Sequence, residues 1–348
     1  MNILLLILIG IVLAVPANAE PPLGLPTLSI PADNPQSPAK IQLGHKLFLD
    51  HRFSADGSIS CASCHQSDKG FADGLPLAIG IKAQVGTRNS PTILNAAYYD
   101  KFFLDGRRDS LEQQVLNPFT NKIEHGLANH QLIIDIIKQD SDYKSRFKQV
   151  FAVQAEAITI DHVAKSIASY LRTLIAGNSA FDRYLFGRDR SALSASAARG
   201  LKIFRRKGNC SNCHEISWDH ALFTDNRFYN IGIGMQQLEA ELDSLVNLAT
   251  QKQQLTTQQR SELGRFNVTH IISDIGKFKT LTLRNISRTA PYMHDGSLDT
   301  LEQVVEYYDK GGDKNHFLDP AIYPLHLSDQ EKTDLVAFMK ALDSYKTD

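Results

Sequence analysis

Cys61-Ala62-Ser63-Cys64-His65 and Cys210-Ser211-Asn212-Cys213-His214 are two copies of one pattern, and together they hold all four cysteines of the 348-residue chain. Cys-x-x-Cys-His is the attachment signature of c-type haem: the two thiols add to the haem vinyl groups and the adjacent histidine is held under the iron as an axial ligand. A structural zinc site would place its two cysteine pairs within about 20 residues of each other and would not need a histidine after the second cysteine. These pairs lie about 150 residues apart and each carries that histidine. A redox dithiol would also leave the histidine without a use. The chain therefore reads as a di-haem redox protein attached through Cys61, Cys64, Cys210 and Cys213, with His65 and His214 as proximal ligands.

Outward from the motifs, the repeat continues upstream. Gly44-His45-Lys46-Leu47-Phe48 precedes the first and Gly200-Leu201-Lys202-Ile203-Phe204 the second, so a Gly-x-Lys-apolar-Phe element leads into both. Its apolar spacing predicts a helix ending with Phe48 or Phe204 near the haem. The expected fold is mainly α, with two cytochrome c-like haem domains packed together. The first spans 38–187, with helical patterns at 110–116, 130–153 and 161–176; the second spans 195–348 and ends in helices at 300–308 and 328–345. Small polar residues at 191–198 read as the link. The Gln-rich stretch from Met235 to Gly264 carries Leu238, Leu242, Leu245 and Leu248 at helical spacing and reads as a surface helix without chemistry.

A formal charge of −1 argues against nucleic acid as a partner. Residues 1–19 run through an apolar stretch and end in Ala17-Asn18-Ala19, a small-x-small site. This reads as a signal peptide cleaved after Ala19, because the apolar run is shorter than the roughly 20 residues a bilayer requires. Export agrees with four cysteines kept for one use, and the periplasm is the expected compartment.

A haem with two strong axial ligands carries electrons, whereas one with an open position can do chemistry. After the first motif no histidine or methionine occurs before His125, so the first iron is a candidate for five-coordination, with His125 or His130 as competing ligands. Near the second haem, Met293 and Tyr308 are donors between which spacing does not choose.

Several ordered blocks then carry a resemblance over nearly all of the mature chain: Arg88-Asn89-Ser90-Pro91-Thr92, Asp105-Gly106-Arg107, Leu111-Glu112-Gln113-Gln114, Asn117-Pro118 with Glu124, Gly276-Lys277-Phe278-Lys279, Leu283-Arg284-Asn285, and Thr289 to Gly296. With the haem motifs, they resemble the bacterial di-haem cytochrome c peroxidase and MauG family. The resemblance implies that the first haem is the peroxide site, with Gln114, Pro118 and Glu124 in its distal pocket, and that the second transfers electrons. Glu124 would be the general acid/base, since a buried carboxyl of raised pKa can take a proton from one peroxide oxygen and return it to the other. Tyr308 matches the position that supplies the second haem's distal ligand, with Met293 as fallback. Asn89, Thr289 and Pro291 match the ligands of a calcium ion between the haems, an oxygen set that suits a hard cation.

The departures are informative. Ile81 stands where many members hold a distal histidine, which predicts no reductive activation step. Leu104 replaces the tryptophan found between the haems, and leucine cannot be oxidised. The single tryptophan, Trp218, is expected to pack near the second haem. Three functions follow: a peroxidase reducing hydrogen peroxide with electrons from a small periplasmic cytochrome c or cupredoxin; a MauG-like enzyme oxidising a partner protein; and a non-enzymatic di-haem electron carrier.

Overall fold

A computed structural model describes residues 20–238, 244, 246, 247, 250 and 255–345. Residues 1–19, read above as a signal peptide, and Leu242, Leu245 and Leu248 lie outside the described residues. Helices of eight or more residues are α1 (Pro38–Leu49), α2 (Leu111–Thr120), α3 (Gln131–Gln139), α4 (Ser141–Phe151), α5 (Ile160–Leu171), α6 (Ala195–Arg205), α7 (Leu301–Asp309) and α8 (Asp329–Lys340). Two short strands, β1 (Phe228–Tyr229) and β2 (Phe278–Lys279), pair antiparallel. The fold is mainly helical, and no helix among the described residues is long and apolar enough to cross a membrane.

Two separate apolar cores organise these helices. The first joins Leu43, Leu47 and Phe48 of α1 to Val115 and Phe119 of α2, Ile133 and Ile137 of α3, Phe147 of α4 and Val163 and Ile167 of α5. The second joins Leu201 and Phe204 of α6 to Leu301 and Val305 of α7 and Val336, Phe338 and Met339 of α8. The repeated glycine has a packing reason that the sequence did not disclose. A Cβ on Gly44 would lie 1.9 Å from the Ser166 carbonyl of α5, and one on Gly200 1.9 Å from the Asp334 carbonyl of α8. Only hydrogen fits where α1 crosses α5 and α6 crosses α8, so the two modules are built on the same close helix crossing.

Helix boundaries differ from the periodicity where side chains cap the backbone. The 130–153 pattern breaks at Asp140, whose carboxylate accepts from the Asp142 and Tyr143 amides and starts α4. α5 stops at Leu171, and beyond it Asn95 pairs with both backbone groups of Ala176. α8 stops at Lys340, and beyond it Asn285 Oδ1 accepts from the Ser344 and Tyr345 amides. Ser194 caps α6, so residues 195–198 of the expected link are already helical.

Arg284 and Asp182 form a fully buried ion pair beside the second core, into which the neighbouring Phe181 packs. Both guanidinium ends reach the carboxylate at 2.8 Å, Nη2 also donates to Gly24 O and Nε to Ala221 O. Removing one partner leaves the other charge unpaired in the interior. Asp182→Asn is therefore expected to destabilise the protein by about 3–5 kcal/mol, read as a fall in the urea midpoint followed by haem absorbance. A loss below about 1 kcal/mol, typical of exposed pairs, would contradict this.

Candidate functional site

Each haem motif folds as a single tight turn, Cys61–Cys64 after Ser60 and Cys210–Asn212 after the left-handed Asn209. The histidine amide closes each turn on the first cysteine carbonyl, at 3.1 Å for His65 and 2.9 Å for His214. His65 Nδ1 then lies 3.0 Å from Phe71 O and His214 Nδ1 2.9 Å from Phe223 O. A carbonyl only accepts, so Nδ1 holds the proton and Nε2 keeps its lone pair, the tautomer that a metal-bound histidine requires. Burial lowers both imidazole pKa values, which keeps the rings neutral at pH 7.

No disulfide joins any of the four cysteines. Burial pushes Cys61 and Cys210 up to about 12, and Cys64 and Cys213 up to about 11. A redox dithiol works through a lowered thiol pKa, the opposite of this environment. Among the described residues no three His, Cys, Asp or Glu side chains converge on a point that could hold a metal ion, so the cysteines do not assemble a zinc site.

Beside the second motif, a largely apolar cavity is lined by Cys210, Cys213, His214, Phe204, Tyr308, Met293 and Met339. The placement of Phe204 is the one its repeat position predicts, whereas Met339 of α8 was not anticipated. Tyr307 donates to Ile231 O and accepts from the Asp313 amide. The neighbouring Tyr308 hydroxyl has no hydrogen bond to a described residue and faces the cavity. Burial, with Cys210 and Cys213 nearby, raises its pKa. Met293 lines the same cavity from a left-handed backbone position, φ 71°.

Gln114 and Pro118 stand one turn apart on α2. Glu124 follows the helix, its Oε1 accepting from Asn121 Nδ2 at 2.6 Å. Desolvation raises its pKa against the opposing charge of Arg107. The carboxyl is close enough to act electrostatically on both Cys61 and Cys64. The Ile81 amide donates to Ile123 O and Glu124 O, and its side chain packs on Gly126, so the 70–86 loop does reach the Glu124 region. The two competing histidines are tied to backbone carbonyls, His125 Nδ1 to Phe53 O and His130 Nε2 to Leu116 O, each at 2.9 Å.

A second internal repeat emerges from the backbone. Phe102 bridges Arg108 and Tyr292 bridges Leu298. Within these loops Phe103 and Met293, then Gly106 and Gly296, are left-handed. Ser110 caps α2 and Thr300 caps α7, each bonded by the amide of a glutamine, Gln113 or Gln303. Eight residues beyond each cap stand Pro118 and Tyr308. The position that presents a phenol to the second module's cavity is proline in the first. The sequence signal was available, as Asp105-Gly106 with Leu111-Glu112-Gln113 against Asp295-Gly296 with Leu301-Glu302-Gln303.

Asn89, Thr289 and Pro291 all line the second cavity. Asn89 Nδ2 donates to Leu75 O at 2.7 Å, and neither Asn89 Oδ1 nor the Thr289 and Pro291 carbonyls accept a hydrogen bond from a described residue. These free neutral oxygens fit a hard cation. Two expectations require correction. Trp218 does not pack near the haem; it is 91% exposed. The Met235–Gly264 stretch is also more than a surface helix: Leu238 is buried, and Glu262 is fully buried between Arg88 Nη1 at 2.8 Å and His294 Nε2 at 2.9 Å.

Residues 38–190 match the family model for di-haem cytochrome c peroxidase. Cytochrome-c peroxidase IdrP1 of Pseudomonas sp. (strain SCT) is 37% identical over 94% of this chain and 86% of its own. MauG of Methylorubrum extorquens, a methylamine utilization protein, is 36% identical over 90% of this chain and 80% of its own. A solved MauG-like protein associated with microbial copper homeostasis superposes with a TM-score of 0.78 at 31% identity, covering 93% of this chain and 94% of the other. The di-haem peroxidase BthA of Burkholderia thailandensis shares the fold, with a TM-score of 0.72 at 21% identity, covering 93% and 92%. The chain belongs to the di-haem cytochrome c peroxidase and MauG family.

Proposed function

We propose that this chain is a periplasmic di-haem c-type peroxidase that reduces hydrogen peroxide to water, with electrons from a small cytochrome c or cupredoxin. The observation that carries the reading is the contrast between equivalent helix positions. Tyr308 lines the second cavity and would offer an oxygen ligand to the second haem, whereas Pro118 at the equivalent position would offer none to the first. His65 and His214 would hold the irons, Cys61, Cys64, Cys210 and Cys213 the porphyrins, and Asn89, Thr289 and Pro291 a calcium ion. When bound, the haems supply the redox chemistry, taking two electrons per peroxide to the first site.

The protein's own residues handle orientation and protons. Glu124, ionised, accepts the proton of the near peroxide oxygen and delivers it to the departing one, so that water leaves. Asn121 holds the carboxyl through Oε1, leaving Oε2 for the proton. The Ile81 loop restricts water at the site, and Gln114 contributes a polar group from the facing turn of α2.

A MauG-like oxidation of a partner protein is a second reading. It is favoured by Tyr308, since phenolate oxygen stabilises the ferric and higher states of iron relative to thioether sulfur, and by Ile81 in place of a distal histidine. A plain electron carrier would need strong ligands on both irons. Low-temperature electron paramagnetic resonance of the ferric holoprotein separates these functions. One high-spin and one low-spin signal are expected, the high-spin signal being lost on adding peroxide, with rapid oxidation of an added donor cytochrome. Slow donor oxidation would favour the MauG-like reading, and two low-spin signals indifferent to peroxide would mean a resting enzyme that must first be reduced or a plain electron carrier, overturning the expectation drawn from Ile81 that no reductive activation is needed.

A further inference from the structure

Lys279 is an unusual residue at the junction of the modules. It lies at the end of β2, its amide donates to Leu104 O, and it lines the second cavity. Only 6% of the residue is exposed. Its ammonium sits 3.3 Å from the centre of the Tyr99 ring and 5.9 Å from that of Phe102, and donates to Lys101 O at 2.7 Å. All three partners belong to the first module. A cation from one module is thus inserted into an aromatic cage of the other, with a single carbonyl as its hydrogen-bond acceptor.

No carboxylate pairs with it. Of the charged groups on the packed elements, Asp100 acts on it only at longer range, Lys101 is turned to Asp109 at 2.5 Å, and Arg265 stacks on Phe228 of the paired strand. Asp225 on the approach to β1 is taken by Tyr229. Burying an unpaired ammonium is costly, and the usual response is a change of protonation state. Desolvation, opposed weakly by Asp100, brings Lys279 down to about 7.

We propose that Lys279 is a potential-setting residue, a buried ammonium that holds the second haem's reduction potential up and releases it on deprotonation. The inference rests on the reading that the second haem occupies the cavity beside Tyr308. A nearby positive charge favours the state that has gained an electron, so the cation stabilises ferrous over ferric haem. Electron uptake is then accompanied by partial proton uptake at the Lys279 amine. The amine gives that proton back when the electron passes to the first module. The cage adds a coupling between modules, because Tyr99, which faces the ammonium, also accepts from the amide of Thr282 in the cavity wall.

The test is a spectroelectrochemical titration of the second haem in the holoprotein from about pH 6 to pH 8. Wild type should show a potential that falls with rising pH through this range. Lys279→Met should give a low potential with that slope lost. Lys279→Arg, which keeps the charge but does not titrate in this range, should hold the acid-side potential and also lose the slope. If Lys279→Met fails to fold, the flat, high profile of Lys279→Arg decides. Retention of the wild-type slope in either variant, or equal displacement of both, would overturn the proposal while leaving the di-haem reading intact. A holoprotein carrying one haem per chain would overturn both.

Discussion

Glu124→Gln is expected to slow peroxide turnover by about 10²–10⁴-fold, the range a positioned acid/base contributes, with haem content and the high-spin signal of the first haem unchanged. The substitution is close to isosteric, and its Oε1 can still accept from Asn121 Nδ2 as the carboxylate does at 2.6 Å. What is lost is the ability to take up and return a proton. The pH profile provides an independent sign. Burial raises the Glu124 pKa above its ordinary 4.5, and peroxide capture needs the ionised form. Wild-type activity should therefore rise with pH through the raised pKa, and the variant should lose that limb. Stopped-flow peroxide consumption across the acid range measures both, and a variant within a few-fold of wild type would remove Glu124 from the proton path.

The sequence made the two haem motifs, the mainly helical class and the doubled architecture legible, because Cys-x-x-Cys-His is a covalent requirement and tolerates no substitution of roles. It also pointed to Glu124 and Tyr308, though only through the order of surrounding blocks, since a lone glutamate before Gly126 is ordinary turn chemistry. Hidden from it were contacts between segments distant in the chain. Gly44 and Gly200 looked like part of a haem-leading element, and their reason lies in carbonyls more than 100 residues away, at Ser166 and Asp334. Glu262 looked like one more charge in a polar stretch until Arg88 and His294 closed on it. Trp218 shows the opposite failure: its place just after His214 predicted packing near the second haem, but nothing in the neighbouring sequence specified a surface to cover it. Helix ends were misjudged where Asp140 caps the backbone and where Asn95 and Asn285 bind the chain beyond a helix, which periodicity does not register.

Pro118→Tyr is expected to close the first haem. In the second module the equivalent position carries Tyr308, eight residues after the cap of α7, and presents its phenol to the cavity with no competing hydrogen bond. The first module repeats the loop, the left-handed residues and the cap, so the same side chain at the same helical position should enter the first haem's distal pocket. The substitution also restores an N–H to the helix opposite the Gln114 carbonyl, so the backbone should tolerate it. An intramolecular ligand competes at an effective concentration of order 1 mM or more, well above micromolar peroxide. Azide binding and peroxide turnover should both fall by about 100-fold or more on that arithmetic, and the high-spin signal should give way to a second low-spin one. Pro118→Ala, which restores the same N–H without a donor, should keep the high-spin signal and azide binding, separating ligation from any change in helix geometry. Should Pro118→Tyr remain high-spin and bind azide as wild type does, α2 would not present this position to the iron. The correspondence between Pro118 and Tyr308 would then be one of backbone alone.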